Sequence, residues 1–477
     1  MLFNSLTFLI FFIIVYSLYL LSDHKRQNLL LLVASYFFYG WWDWRFIPLL
    51  FLTTFLDFVL AQKIFEAGTP INRKALLVLS IVMNLGVLGF FKYYNFFASN
   101  ADALLAHFGS STSFGIIHVI LPIGISFYTF QSMSYVIDVY RGELVPPKSF
   151  RDFGVFVTYF PHLVAGPILR ATHILPQVLN PRKIEIEKFY EGGYLIFWGL
   201  FQKVCIADKL GEIVSSVFSL PPPYNGIKVL IAIYAFAFQI LCDFSGYSDI
   251  ARGLGKLMGF DIVLNFNLPY FATNPREFWK RWHISLSTWL RDYLYVPLGG
   301  NKKGEWITCR NLMITMLLGG LWHGAAWTFV IWGAYHGFLL IGHRLIEPIL
   351  EKIPKPENLI LKNASFLLRI IFFFHLVCLG WLFFRAQSMY QAFEMMRALI
   401  EQFHFEGGLK IGQTLLTLFF CVSPLLLIQY FQRIKDNLMI ILSAPQFVRV
   451  VFYVAGYYIL LNSLFGRNAE EFIYFQF

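Results

Sequence analysis

Long apolar runs, separated by short connections that carry most of the charge, limit the fold of this 477-residue chain more than any other feature. Hydrophobic residues make up 57% of it and charged residues 14%, and its mean hydropathy is +0.60. A soluble domain carries about 25% charged residues, so too little polar surface remains here to cover a water-soluble globule. Since a membrane helix needs about 20 residues, we predict an all-α polytopic membrane protein with about ten to twelve spans.

The basic residues predict how the chain is oriented. Asp23-His24-Lys25-Arg26 follows the first apolar run, residues 2–21, and the positive-inside rule places this loop in the cytoplasm. We therefore expect the N-terminus outside, and the C-terminus outside as well, after a last span at 447–465. The first run lacks the basic start and small-residue cleavage site of a signal peptide, so we expect it to be retained. Nothing divides the sequence, so we predict a single domain, 1–477.

Polar residues interrupt several of the apolar runs. Residues 116–140 contain Pro122, Gly124 and Asp138, and residues 153–169 are short and broken by prolines. Such backbone is tolerated at membrane depth only where protein or a cavity covers it. The first segment is either a kinked structural helix or a wall of an internal chamber, and the second is predicted to be re-entrant. Asp243 is either functional or a buried carboxylate capped by neighbouring Ser or Tyr.

Residues 274–304 are basic and aromatic and contain His283. Asn274-Pro275-Arg276-Glu277 predicts a helix start, because Asn caps, Pro fits the first helical position and Glu follows three residues after the cap. This stretch is too charged to span, so we predict an interfacial helix that carries His283 and turns its aromatic side toward lipid. The basic surplus around it either satisfies the positive-inside rule, which is the favoured explanation of the charges alone, or attracts a polyanionic substrate such as the phosphates of coenzyme A.

His323 lies in a nearly uncharged, glycine-rich run, residues 313–337. A histidine with an ordinary pKa near 6.5 is suited to proton transfer at neutral pH. Gly319, Gly320 and Gly324 would let a substrate or a backbone come close. The alternative is a helix-to-helix hydrogen bond, and since His336 is also in an apolar run, position alone does not choose between them.

Motifs of other chemistries are absent from the sequence. The five cysteines are scattered and form no CxxC, and there is no HExxH, no GxSxG and no GxxxxGK[ST]. We therefore expect no metal site and no cofactor.

Residues 265–304 and 317–337, with the blocks RWH and LWHG, resemble the membrane-bound O-acyltransferase family, and most closely its bacterial branch with the alginate O-acetylation membrane subunit. Segments 127–142, 160–170 and 243–253 support this resemblance. It implies a ring of about 11 tilted transmembrane helices, with re-entrant and interfacial helices, around a central tunnel. It also implies that His323 is the catalytic histidine and His283 the second signature histidine. The substrate-binding residues that we predict from the same blocks are Asn274, Arg281, Trp282, Arg291 and Trp322.

The resemblance implies an enzyme of the bacterial cytoplasmic membrane that moves an acyl group, expected to be acetyl, from a cytoplasmic thioester such as acetyl-CoA. The acceptor would be a hydroxyl of an extracytoplasmic polysaccharide such as alginate, another exopolysaccharide or peptidoglycan, reached directly or through a periplasmic acetyltransferase partner. Two alternatives involve no bond chemistry: a transporter or flippase, and a scaffold of a polysaccharide-export complex. No nucleic-acid partner is expected.

Overall fold

The computed structural model describes residues 1–109, 113–352, 354, 356–405, 408–464 and 472–473. All regular secondary structure within these ranges is helical. The chain forms two compact units, residues 1–196 with 250–263 and residues 197–249 with 264–477. The predicted single domain stays a prediction. The last residues of the chain, 474–477, whose location outside the membrane was predicted, lie beyond the described ranges.

Unit 1 consists mainly of the helices that precede residue 197. They are α1 (Leu6–Leu20), α2 (His24–Asp43), α3 (Ile47–Glu66), α4 (Pro70–Leu88), α5 (Tyr94–His107), α6 (Ile125–Arg141), α7 (Phe150–Thr158), α8 (Phe160–Leu163), α9 (Ala171–Leu179) and the start of α10 (Ile186–Leu200). Helices α3, α4 and α6 pack on one another. Asp57 of α3 is buried and accepts hydrogen bonds from Ser80 (2.7 Å) and Asn84 (2.9 Å) of α4. The burial of this carboxylate therefore serves to join two helices.

The interrupted segments of unit 1 are interrupted in the structure as well. The predicted span at 116–140 is wrong at its start, because α6 begins only at Ile125, after Gly124 in a left-handed conformation with φ 75°. A Cβ atom on Gly124 would lie 2.6 Å from the Leu163 carbonyl oxygen. Only glycine combines this φ with so close an approach of two backbones. Residues 153–169 form the two short helices α7 and α8, and their re-entrant path stays a prediction.

Unit 2 contains the remaining helices. They are the end of α10, a π-helical turn (Phe201–Ala207), α11 (Asp208–Phe218), most of α12 (Gly226–Leu257), a 3-10 turn (Pro269–Phe271), α13 (Pro275–Trp279), α14 (Ile284–Leu290), a π-helical turn (Arg291–Tyr295), α15 (Glu305–His323), α16 (Trp327–Leu350), α17 (Leu359–Arg385), α18 (Met389–Glu401), α19 (Gly408–Ile434) and α20 (Gln446–Leu464). Helix α16 lies between α15 and α17 and contacts both. Both predicted histidines belong to this unit.

Six helical stretches within the described ranges are long and apolar enough to cross a membrane. They are His24–Glu66, Pro70–His107, Gly226–Leu257, Trp327–Leu350, Leu359–Arg385 and Gly408–Ile434. The first two each contain two of the helices above, joined by a 3-10 turn at Trp44–Phe46 and a π-helical turn at Gly89–Tyr93. The chain is therefore a multi-pass membrane protein, while the ring of about 11 helices stays a prediction.

Candidate active site

The predicted helix start at Asn274 is confirmed. The Asn274 side chain accepts a hydrogen bond from the Glu277 backbone N–H at 2.8 Å, and Pro275 is the first residue of α13. The Glu277 carboxylate reaches back and accepts from the Thr273 backbone N–H at 2.9 Å. Donors that a helix N-terminus leaves unpaired are thus satisfied by side chains. Asn274, predicted to bind substrate, has a structural role as the cap.

The prediction that one continuous helix carries His283 is wrong. Helix α13 ends at Trp279, and His283 stands before α14 in a left-handed conformation, φ 43° and ψ 54°. A non-glycine residue in this conformation is uncommon and marks a local constraint. The predicted separation of aromatic from charged side chains holds for four residues, since Phe278 and Trp282 are buried while Arg276 and Lys280 are exposed. The prediction that the aromatic side faces lipid is wrong for Phe278 and Trp282, because both are buried in protein.

A tertiary contact explains the break. The Asn265 carbonyl accepts a hydrogen bond from the Ile284 backbone N–H at 2.9 Å, and the Asn265 side chain accepts from the backbone N–H (3.2 Å) and hydroxyl (2.9 Å) of Ser285. The Asn267 N–H donates to the Arg281 carbonyl at 2.9 Å. Backbone groups on both sides of His283 therefore bond to residues 265–267 instead of continuing the helix.

His323 is the last residue of α15, and glycines bring α15 and α16 close together. A Cβ atom on Gly320 would lie 2.2 Å from the Phe329 carbonyl oxygen, and one on Gly333 would lie 2.3 Å from the Met316 carbonyl oxygen. Neither distance is compatible with a side chain. The expectation that the glycines near His323 allow a backbone to approach is confirmed for Gly320.

The structure brings His283 and His323 together. Their ring centroids are 6.3 Å apart with an interplanar angle of 51°. The indole of Trp322 contacts both rings, at 5.8 Å from His283 and 5.0 Å from His323. His283 is fully buried and His323 is 4% exposed. Trp322 is therefore the predicted substrate-binding residue that lies at the histidine pair.

Further aromatic residues surround the pair, and the sequence analysis missed them. Trp332 and Phe384 contact the His323 ring at 5.1 and 5.3 Å, and Phe244 contacts the His283 ring at 4.6 Å. Trp332 lies within the LWHG-containing stretch, so its place in the same block as His323 was a usable signal. Phe244 is 39 positions from His283 and Phe384 is 61 positions from His323 along the chain, and no local pattern links them to the pair.

Burial controls the charge of His283, which lies outside the six apolar stretches. It lowers the pKa of His283 to about 3, because an imidazolium ion in an apolar surrounding loses its hydration. The ring is therefore neutral at neutral pH and has one nitrogen that donates and one that accepts.

The other predicted substrate-binding residues bond elsewhere. Arg281 pairs with Glu277 at 2.9 Å and donates to the Asn267 carbonyl at 3.1 Å. Arg291 is exposed and pairs with its neighbour Asp292 at 2.7 Å. Trp282 is buried, and its ring centroid lies 4.9 Å from that of Trp381. Arg281 and Trp282 support the segment that carries His283, and the contacts above do not place these two side chains or Arg291 at the pair.

His336, the third candidate histidine, is fully buried in a different aromatic contact. Its ring lies 4.9 Å from Trp332 and 5.2 Å from Trp279. Trp332 contacts the rings of both His336 and His323. Among the described residues, no group of three or more His, Cys, Asp or Glu side chains is arranged to hold a metal ion.

Fold and site together define a class: a multi-pass helical membrane protein with two contacting, buried histidines in an aromatic surrounding. The arrangement supplies proton-transfer groups in a place of restricted water access. Residues 143–384, half of the chain, match the model of the membrane-bound O-acyltransferase family. The chain belongs to this family and is an O-acyltransferase.

The relatives agree with this assignment over most of the chain. The chain is 45% identical to a probable alginate O-acetylase AlgI of Azotobacter vinelandii over 401 residues, which are 84% of this chain and 78% of that protein. It is 32% identical to a peptidoglycan O-acetyltransferase of Helicobacter pylori over 471 residues, 91% of this chain and 84% of that protein. A teichoic acid D-alanyltransferase of Bacillus subtilis is 29% identical over 282 residues, 56% of this chain and 69% of that protein.

Proposed function

We propose that the protein transfers an acetyl group from a cytoplasmic thioester donor toward hydroxyl groups of an extracytoplasmic polysaccharide. The observation that carries this proposal is the contact between His283 and His323, 6.3 Å apart, in a chain of the O-acyltransferase family. The acetyl group and the glycan acceptor are supported by the names of the relatives above, two of which are O-acetylases of alginate or peptidoglycan.

His323 is the general base of the proposed reaction. Its neutral ring removes the proton of the acceptor hydroxyl as the oxygen attacks the thioester carbonyl. The carbon–sulfur bond then breaks, and the thiolate leaves with the proton that His323 took up. General-base help of this kind contributes about 10²–10⁴-fold to the rate. Holding donor and acceptor together contributes more, since it makes the step effectively unimolecular.

His283 is the second histidine of the proposed site. Being neutral, it can donate one hydrogen bond to the thioester carbonyl, where negative charge develops during attack. Trp322 contacts both rings and would border the acyl group. Asn274, Arg281 and Trp282 would act indirectly, because they hold the segment on which His283 stands.

The donor is proposed to arrive at the segment around α13. Arg276 of α13 and Lys280, which follows α13, are exposed there, and two neighbouring cations attract the phosphates of a coenzyme A thioester. Arg291 would add to the same positive surface. This route fits a central tunnel within a ring of about 11 helices, and it requires α13 on the cytoplasmic side of the bacterial inner membrane. Both chain termini would then be extracytoplasmic.

The acetyl group is proposed to reach the glycan directly or through a periplasmic acetyltransferase partner. The experiment is mass spectrometry of surface glycans from cells that carry the wild type or His323→Ala as their only copy. We expect the acetyl esters to disappear while the variant protein remains in the membrane. Unchanged acetyl ester content with His323→Ala would reject the proposal and favour a transporter or a scaffold.

A further inference from the structure

Unit 2 contains a buried group of three charged side chains that the proposed chemistry does not use. Lys203 lies in the π-helical turn before α11, Asp208 begins α11, and Asp243 lies in α12. The Lys203 ammonium is 2.9 Å from the Asp208 carboxylate and 2.7 Å from the Asp243 carboxylate. Exposure is 7% for Lys203, 9% for Asp208 and 2% for Asp243. We call these three residues the ion triad.

The ion triad explains the burial of Asp243, for which the sequence allowed two roles. Asp243 was expected to be either functional or a buried carboxylate capped by Ser or Tyr. The structure pairs its Oδ1 with Lys203, while its Oδ2 accepts a hydrogen bond from the Ile473 backbone N–H at 2.6 Å. One carboxylate therefore joins the ion triad to the segment Phe472–Ile473.

Two aromatic residues connect the Asp243 carboxylate to the histidine pair: Phe244, which follows Asp243, and Phe472, which precedes Ile473. Phe244 follows Asp243 and contacts the His283 ring edge-on at 4.6 Å. Phe472, which precedes the tethered Ile473, contacts Phe244 at 5.6 Å and Tyr247 at 5.0 Å. A fixed Asp243 thus fixes two aromatic side chains, one of which packs directly on His283.

Stability alone is a poor reason to keep three charges buried. Removing charges from water is costly, and replacing a buried ion pair with apolar residues is often neutral or stabilising. Lys203 also stands in a π-helical turn, a rare departure from α-helix that is frequent at functional sites. Elsewhere in unit 2, an uncharged side chain makes a comparable link: Gln391 donates to the Phe218 carbonyl at 2.8 Å and to the Tyr224 hydroxyl at 3.1 Å.

We propose that Lys203, Asp208 and Asp243 are positioning residues for acyl transfer. Lys203 and Asp208 hold the Asp243 carboxylate in one orientation, and Asp243 keeps Phe244 and the Phe472–Ile473 segment against the His283 side of the site. The inference rests on the proposed function, because it takes His283 to border the reacting groups.

The key variant removes all three charges while keeping shape: Lys203→Met, Asp208→Asn and Asp243→Asn together. Because no unpaired buried charge remains, we expect this variant to fold and to reach wild-type levels in the membrane. Two quantities are then measured: hydrogen–deuterium exchange of the Ile473 amide in the purified full-length chain, and acetyl ester content of surface glycans per membrane-inserted molecule. A charge-assisted hydrogen bond is stronger than the neutral bond that replaces it, so Ile473 exchange should rise about tenfold.

Acetyl ester content per molecule should fall about tenfold in the same variant, since small misplacements at a reacting centre slow the chemical step. Gln391→Leu is the matched control, because it deletes a buried link of unit 2 outside the site. It should change neither the Ile473 exchange nor the acetyl ester content per inserted molecule. Lys203→Arg keeps the charge and should retain more acetyl ester than the uncharged variant.

Two results would overturn the inference: unchanged Ile473 exchange in the uncharged variant, or increased exchange with full acetyl ester content per molecule. The second result would leave the ion triad as a structural link only. His323→Ala, measured alongside, separates this failure from failure of the proposed function. If His323→Ala keeps its acetyl esters, the function is rejected whatever the exchange of Ile473 shows.

Discussion

The two contacting histidines are held by opposite means. His283 stands between two short helices in a left-handed conformation, fixed by hydrogen bonds from flanking backbone groups to residues 265–267. His323 ends a regular 19-residue helix whose glycines allow α16 to pack against it. The position of His283 therefore depends on an interruption between two helices, whereas the position of His323 depends on a continuous helix.

The difference shows what each kind of support can specify. Hydrogen bonds that Asn265 accepts from Ile284 and Ser285 direct the backbone at a single residue, and so they aim one side chain where a helix would not point it. Glycine contacts between α15 and α16 fix the distance between two rigid elements and therefore the position of every side chain on them. We expect the position of His283 to be sensitive to changes in backbone conformation. We expect the position of His323 to be sensitive to added side-chain volume between α15 and α16.

The largest expected effect separates the chemistry of the two histidines. His323→Ala should lower turnover by about 10²–10⁴-fold, because it removes the proposed base. His283→Asn should lower it less, since Asn tolerates the left-handed backbone and keeps a hydrogen-bond donor. Turnover is measured as acetyl ester formed per membrane-inserted molecule.

The control is His375→Gln, which alters an exposed histidine that bonds to Tyr234 and should leave turnover unchanged. Equal losses at His283 and His323 would contradict the assigned roles.

The next effect tests the volume argument at the helix pair. Gly320→Ala or Gly333→Ala places a methyl group where a carbonyl oxygen of the facing helix lies 2.2 or 2.3 Å away. Overpacking of this kind costs about 1–3 kcal/mol, so the free energy of unfolding should fall by that amount and turnover should fall with it. Gly342→Ala in α16 is the matched control, since no atom lies within 4 Å of the added Cβ. Thermal unfolding of the purified variants measures the difference, and equal melting temperatures for Gly333→Ala and Gly342→Ala would argue against close contact of the two helices.

The smallest effect concerns the charge of His283. Burial lowers its pKa in the native protein to about 3, whereas the unfolded chain has a pKa of about 6.5. Below about pH 6.5 the unfolded state binds a proton that the native state does not, so stability is lost as the pH falls, by about 1.4 kcal/mol per pH unit. His283→Gln has no such loss. The stability advantage of the wild type over His283→Gln should therefore shrink between pH 7 and pH 5, as measured by melting temperature. An advantage that stays constant over this range would mean that the ring is hydrated.

Local patterns predicted several features that the structure confirms. The Asn274 cap needed only residues three positions apart, because capping satisfies donors within the first helical turn. The close approach at Gly320 followed from glycines beside an apolar helix end. The helix carrying His283 was predicted wrongly for the opposite reason. Its break depends on Asn265, 18 positions away, and capping residues and amphipathic spacing carry no information on such a partner.

By itself, the sequence determined that this chain is a multi-pass helical membrane protein with a histidine in each of two specific blocks. Low charge and long apolar runs leave few alternatives, since a backbone in lipid must bond within its own segment. Only the tertiary structure decided which of the three candidate histidines meet and what surrounds them. Phe244 and Asp243 lie on α12, Asp208 on α11 and Phe384 on α17, and packing alone brings side chains of such separate helices together. The contact between His283 and His323 is therefore a property of the folded unit, although each histidine is recognisable in its own block.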